Sequence, residues 1–148
     1  MPVVTFFSTR FTRIPLPDAI NDVLGHDLAA WLHDAMQTQG YDVDDVIGED
    51  YGYGFWLRLN KRHYWFTTGE LEPPGFNGQA ESRWLVSLAD DPGCFWVYRL
   101  RARHSPAEQA ALARALHAIL QTDPSISGIA WWAQDVYRGT PTAEPPSL

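Results

Sequence analysis

Residues 3–10 alternate apolar with polar positions and are rich in Val, Thr and Phe, the period-two pattern of a strand that Pro15 and Pro17 bring to an end. The period then lengthens. Ile20, Leu24, Leu28, Trp31, Leu32, Ala35 and Met36 recur on one helical face and predict a helix over 18–39. Asp18 stands near its N-cap, Gly40 marks its stop, and Gly25 weakens its middle. Residues 41–47 read as a short strand or extended arm with acidic flanks. Segments 51–59 and 62–68 form a hairpin across the pair Asn60-Lys61. A two-residue turn pairs Leu57 with Tyr64 and Phe55 with Phe66 on the more apolar face, assigned to the core, and Trp56 with Trp65 and Arg58 with His63 on the other.

Pro73, Pro74, Gly75 and Gly78 mark 70–81 as a long loop. A strand over 83–89, a turn at Asp90-Asp91-Pro92-Gly93 and a strand over 94–103 follow. Ser105-Pro106-Ala107-Glu108 then combines an N-cap Ser, Pro at the first helical position and Glu three residues on. The helix it opens buries Leu112, Ala115, Leu116, Ile119 and Leu120 and stops before Asp123-Pro124. Residues 126–132 add a final strand at a sheet edge. The expected fold is α+β, a mostly antiparallel sheet of about five to seven strands with two helices packed on one face. Residues 1–138 form one domain, and 139–148, with Pro141, Pro145 and Pro146, form a flexible tail.

Composition narrows the function. With 45% apolar and 20% charged residues the 148-residue chain is an ordinary globular one, and its apolar runs are far short of the roughly 20 residues that span a bilayer. No signal-peptide pattern opens it, and the lone Cys94 excludes an intramolecular disulfide and a multi-cysteine zinc site, so a cytoplasmic location is expected. The net charge of −7 argues against a general nucleic-acid binder. That charge is concentrated: between Ile14 and Leu57 there is no Lys or Arg, while Asp18, Asp22, Asp27, Asp34, Asp42, Asp44, Asp45, Glu49 and Asp50 all fall there. This is either a solvated acidic face or an acidic pole offered to a basic partner. Seven Trp in so short a chain raise the weight of binding, because Trp serves both cores and interface hot spots.

The most distinctive segment is Gly48-Glu49-Asp50-Tyr51-Gly52-Tyr53-Gly54-Phe55-Trp56. On a strand, Tyr51, Tyr53, Phe55 and Leu57 share one face, and Gly52, Gly54, Trp56 and Arg58 the other. Two glycines beside a Trp leave a bare trough of backbone, to be filled by a partner, a ligand or the chain's own Trp65. Glu49 and Asp50 point opposite ways on an extended chain and so make a poor proton-sharing pair. The histidines read as surface residues: His26 and His33 lie two turns apart, about 10 Å along a helix, too far to grip one ion. Arg99, Arg101 and Arg103 share one strand face and read as an aggregation-resistant edge, with an anionic ligand, acidic partner or single-stranded nucleic acid as the functional alternatives.

Leu32, Gly40-Tyr41, Val43 and Glu49-Asp50-Tyr51-Gly52-Tyr53 together resemble a group of small bacterial proteins with a helix, a Gly-Tyr pair and a Glu-Asp-aromatic-Gly-aromatic strand start. The resemblance spans residues 28–59, with Tyr51 and Tyr53 where the group usually carries Trp. Some members look like immunity or accessory proteins. It implies a bacterial cytoplasmic domain and assigns no catalytic residue.

These readings converge on a non-enzymatic bacterial protein-binding domain, an immunity or inhibitor-type partner of a toxin or effector. The alternative is a small enzyme or small-molecule-binding domain with a pocket between the sheet and the 70–81 loop. Candidate binding residues are Glu49, Asp50, Tyr51, Tyr53, Trp56, Arg58, His63 and Trp65; no catalytic set, metal site or cofactor is assigned. The expected partner is a protein, basic in character, and a homodimer is a further option. Membrane and nucleic acid are not expected partners.

Overall fold

A computed structural model of the chain describes residues 2–90, 105–133 and 136–147. Its framework is the hairpin of β4 (Gly52–Leu59) and β5 (Arg62–Glu72). Asn60 and Lys61 both take positive φ, +49° and +67°, the two-residue turn whose twist matches that of the flanking strands. The register is the one the alternation predicts, with Phe55 opposite Phe66, Trp56 opposite Trp65, Leu57 opposite Tyr64 and Arg58 opposite His63. β5 runs on through Glu72, so residues 70–72, expected in the loop, are strand, with an irregularity between Glu70 and Glu72.

Around this pair the sheet has, among the described residues, seven strands, all paired antiparallel. β6 (Ser82–Asp90) joins β5, β1 (Val3–Ser8) joins β6, and β7 (Ser127–Trp132) closes that side against β1. On the opposite edge, β2 (Asp42–Val43) and β3 (Ile47–Glu49) both pair with β4, one at each end. The chain after Gly139, expected to fray, pairs once more with the sheet: Thr142 and Trp131 exchange backbone bonds of 2.8 and 2.9 Å.

One sheet face carries the core. Val4 and Phe6, Phe55 and Leu57, Tyr64 and Phe66, Trp84, Val86 and Leu88, and Trp131 alternate inward along their strands. Against them pack α1 (His26–Thr38), through Leu28, Leu32 and Met36, and α2 (Pro106–Gln121), through Leu112, Ala113, Leu116, Ile119 and Leu120. The protein is therefore an α+β fold, with a seven-stranded antiparallel sheet and two α-helices on its core face among the described residues. Among the described residues no helix is long and apolar enough to cross a membrane.

Helix α2 starts as its sequence predicts, Ser105 Oγ accepting from the Glu108 amide at 3.4 Å with Pro106 in the first turn. Helix α1 starts later than predicted. Asn21 and Asp22 take positive φ, Gly25 sits at φ +109°, and the regular helix begins only at His26. Ile20, assigned to the buried stripe, is left outside the helix and is 58% exposed. Gly25 is held against the sheet, its carbonyl accepting from the buried Thr68 hydroxyl at 2.9 Å. A Cβ on Gly25 would stand 3.2 Å from the Gly69 Cα, so the tight approach and the left-handed backbone both require glycine.

The surface reading of the histidines holds for His63, whereas His26 and His33 are half-buried and His117 is buried. His117 lies on the buried side of α2, where the Trp131 indole N–H donates to its Nδ1 at 3.0 Å. Trp84 and Trp132 are buried in the same way, their indole N–H groups donating to the Ser8 carbonyl and the Thr5 hydroxyl. Much of the tryptophan excess is thus core with a satisfied polar handle. The turn after Asp90, the expected strand over 94–103 with Cys94, Arg99, Arg101 and Arg103, and His104 lie outside the described residues.

Candidate functional site

The eight candidate binding residues do not converge on one site, because β4 turns its side chains alternately to opposite faces of the sheet. Trp56, Arg58, His63 and Trp65 lie on the face away from the two helices. There Trp56 and Trp65 meet across the hairpin with ring centroids 4.8 Å apart. The trough beside them is filled from within: a Cβ on Gly54 would lie 2.6 Å from the Trp65 ring and 2.3 Å from the Phe66 carbonyl oxygen. Of the three occupants considered for that trough, the chain's own Trp65 is the one present.

Arg58 is engaged as well. Its guanidinium grips Asp42 with two bonds of 2.7 and 2.8 Å and reaches Asp44 at 2.6 Å. These bonds raise the Arg58 pKa above the usual arginine value and lower that of Asp42, so the arginine clamps the acidic arm to β4. His63 is exposed beside the Trp56 ring. Further along this face Trp65, Thr67, Gly69, Leu71, Leu85 and Ser87 floor an open trough of about 410 Å³ that Tyr51 borders. It draws Glu70 and Leu71 from the end of β5 and no residue of 73–81, so it does not lie under the loop where a pocket was expected.

Glu49 and Tyr53 line a different cleft, on the helix side. It has a volume of about 450 Å³, within the range of ligand-sized pockets, and lies between residues 16–23, the start of α1 and β3. Leu16, Ala19, Ile20, Val23, Ala30 and Val46 supply apolar wall; Asp18, His26, Glu49 and Tyr53 supply polar atoms. Tyr53 is only 7% exposed, and its ring stands edge-on to His26 at 5.8 Å. Gly48 lies opposite it across β3 and β4, where a Cβ would come within 3.1 Å of the ring. Burial, and then the charge of Asp18, push the Tyr53 hydroxyl above the usual tyrosine range, so it stays protonated at neutral pH. Among the described residues none hydrogen-bonds that hydroxyl, and the Nδ1 of His26 is buried without a partner.

A second depression of about 490 Å³ adjoins it through Val23 and is bordered by Asp22, Leu24, Tyr51 and the ion pair of Arg13 and Glu70. Tyr51, expected to share the inward face of Tyr53, sits instead in the turn before β4 and is 58% exposed. Asp50 is exposed beside it. Of the large exposed apolar side chains, Leu16 and Ile20 line the first cleft and Tyr51 the second, while Ile47, opposite Gly54, lies on the Trp65 face of the sheet. Asp18 and Glu49 line the first cleft, Asp22 borders the second and Asp50 precedes Tyr51, and none is in an ion pair within the described residues.

Sequence reasoning missed Leu16, Asp18, Ile20 and His26 as site residues. A signal was present: Leu16 and Ile20 are large apolar residues in a stretch that Pro15 and Pro17 keep from forming regular structure. Among the described residues no group of three or more His, Cys, Asp or Glu side chains gathers in a way that could hold a metal ion. No protein-family model, curated protein or solved structure matches the chain, and the site's own geometry carries the functional argument.

Proposed function

We propose that this protein is a non-enzymatic binding domain that docks a basic protein partner on its acidic, apolar end, in the manner of a bacterial immunity or inhibitor protein. The observation that carries this reading is the placement of Leu16, Ile20 and Tyr51, all exposed, on the walls of two adjoining clefts. Exposed apolar clusters rimmed by polar groups mark interaction surfaces, and apolar residues scattered singly do not. The carboxylates of Asp18, Asp22, Glu49 and Asp50, without an ion-pair partner among the described residues, outnumber the one cation there, Arg13, which Glu70 already holds. This negative excess favours a cationic partner and speeds encounter.

The test is affinity capture from the source bacterium with wild-type protein and with Ile20→Asp and Tyr51→Ala variants, each checked for folding. One stoichiometric basic protein is expected. Its retention should fall with rising salt, since exposed charges are screened beyond about 10 Å at 0.1 M. Tyr51→Ala should cost about 2 kcal/mol of binding, roughly thirtyfold in Kd, if Tyr51 is a central anchor. A partner that binds both variants as tightly as wild type, or that ignores salt, would overturn the assignment of this surface.

A further inference from the structure

We propose that the cleft between residues 16–23 and β3 is a cation pocket that receives a lysine or arginine side chain of the protein partner, with Asp18 and the Tyr53 hydroxyl as its acceptors. The proposal rests on the protein-binding reading above and names the chemistry the cleft selects. The Tyr53 side chain is more than nine-tenths buried, yet its hydroxyl, which no described residue hydrogen-bonds, opens onto the cleft and is free to accept from what enters it. The lining narrows what that partner is. Its charged residues are Asp18 and Glu49, with no Lys or Arg among them, which repels an anion and favours a cation. The charge of Asp18 already reaches the Tyr53 hydroxyl, so a positive group seated between them meets both. Leu16, Ile20, Val23 and Val46 give apolar wall to a methylene stem, the way long cationic side chains bury their stems while their heads find polar partners.

The experiment is a titration of the isotopically labelled full chain, followed by amide chemical shifts, with Ac-Ala-Lys-Ala-NH2 and Ac-Ala-Arg-Ala-NH2. A norleucine tripeptide, which keeps the stem and lacks the charge, and butylammonium, which has the charge and no peptide, are the comparison probes. Saturable shifts at His26, Gly48, Glu49 and Tyr53 are expected with the lysine or arginine peptide. Norleucine should bind about fivefold more weakly or worse, and Asp18→Asn and Tyr53→Phe should each cost about fivefold, the effect of losing one acceptor. Tyr53→Phe removes only a hydroxyl that no described residue hydrogen-bonds, so the fold should be unchanged.

Equal binding of the lysine and norleucine peptides would overturn the pocket, as would shifts confined to Asp42, Asp44 and Asp45. Butylammonium binding more tightly than either peptide would also overturn it, by making a free amine the better ligand. If the captured basic partner is lost with Ile20→Asp yet binds Asp18→Asn and Tyr53→Phe as wild type, the pocket falls and the docking surface stands. If no basic partner is retained at all, the docking reading falls and the side-chain source of the cation falls with it.

Discussion

Gly54 carries a side-chain-free strand position into direct contact with Trp65 and with the backbone of the neighbouring strand. A methyl group there would meet the Phe66 carbonyl oxygen at 2.3 Å, and backbone cannot swing aside as a flexible side chain can. Gly54→Ala is therefore expected to lower stability by about 1–3 kcal/mol, the usual cost of overpacking. Gly69, on the next strand, is the internal control: a Cβ there would come no closer than 3.5 Å to any neighbour, and its φ is ordinary. Gly69→Ala should leave stability unchanged or raise it by about 0.5–1 kcal/mol, because Gly is the worse strand residue. Denaturant unfolding of the two variants beside wild type measures both, and equal losses would show that Gly54 is not sterically special. The need for close approach at Gly52 and Gly54 is legible from sequence; what approaches is not. Trp65 occupies the gap because the hairpin register sets it opposite Trp56, one residue pair along the same face, and only the folded sheet shows its ring lying over Gly54.

At the scale of elements, the features that local rules determine are the ones readable in advance. The β4–β5 register follows from alternation and a two-residue turn, and the α2 start follows from Ser105, Pro106 and Glu108. Lys61 is the turn's weak point. It is an L-residue at φ +67° in a turn that prefers Gly at its second position, and its left-handed backbone costs about 1–2 kcal/mol. Lys61→Gly should raise stability by about 0.5–1 kcal/mol, part of the relief being lost to the greater freedom of glycine in the unfolded chain. A lower thermal midpoint for that variant would contradict this account of the turn. Helix α1 was less readable because its apolar spacing continues back through Leu24 and Ile20, while the backbone leaves the helix at Gly25. Tertiary contact between Gly25 and Thr68 decides that boundary, and it turns Ile20 from a core residue into a cleft residue. The candidate site was illegible for the same reason. It joins residues 16–23 to β3 and β4, and no spacing along the chain encodes that meeting.

Across the whole molecule, one carboxylate ties the hairpin tip to the second helix. Glu108, in the first turn of α2, accepts hydrogen bonds from Asn60 and Arg62, each at 2.9 Å, and from the Tyr64 hydroxyl. Its side chain is 12% exposed, and burial alone would raise its pKa. The bonds from Tyr64 and Asn60 and the charge of Arg62 outweigh burial and hold it below the usual glutamate value. A folded-state pKa below the unfolded one binds fewer protons in the native state, so this group's stabilisation is complete above the unfolded value, near 4.3. It is lost as pH falls from there through the lower folded value. Glu108→Gln should therefore cost about 1.5–3 kcal/mol at pH 7, the scale of hydrogen bonds to a charged acceptor. Asp123, held low against burial by Ser125 and Arg10, contributes to acid unfolding with the same sign, so wild-type acid lability alone does not isolate Glu108. The difference between wild type and Glu108→Gln does: measured by urea unfolding from pH 7 to pH 3, it should be flat down to about pH 4.5 and shrink below it. A difference that stays constant to pH 3 would mean that Glu108 acts through the shape of its contacts and not through its charge.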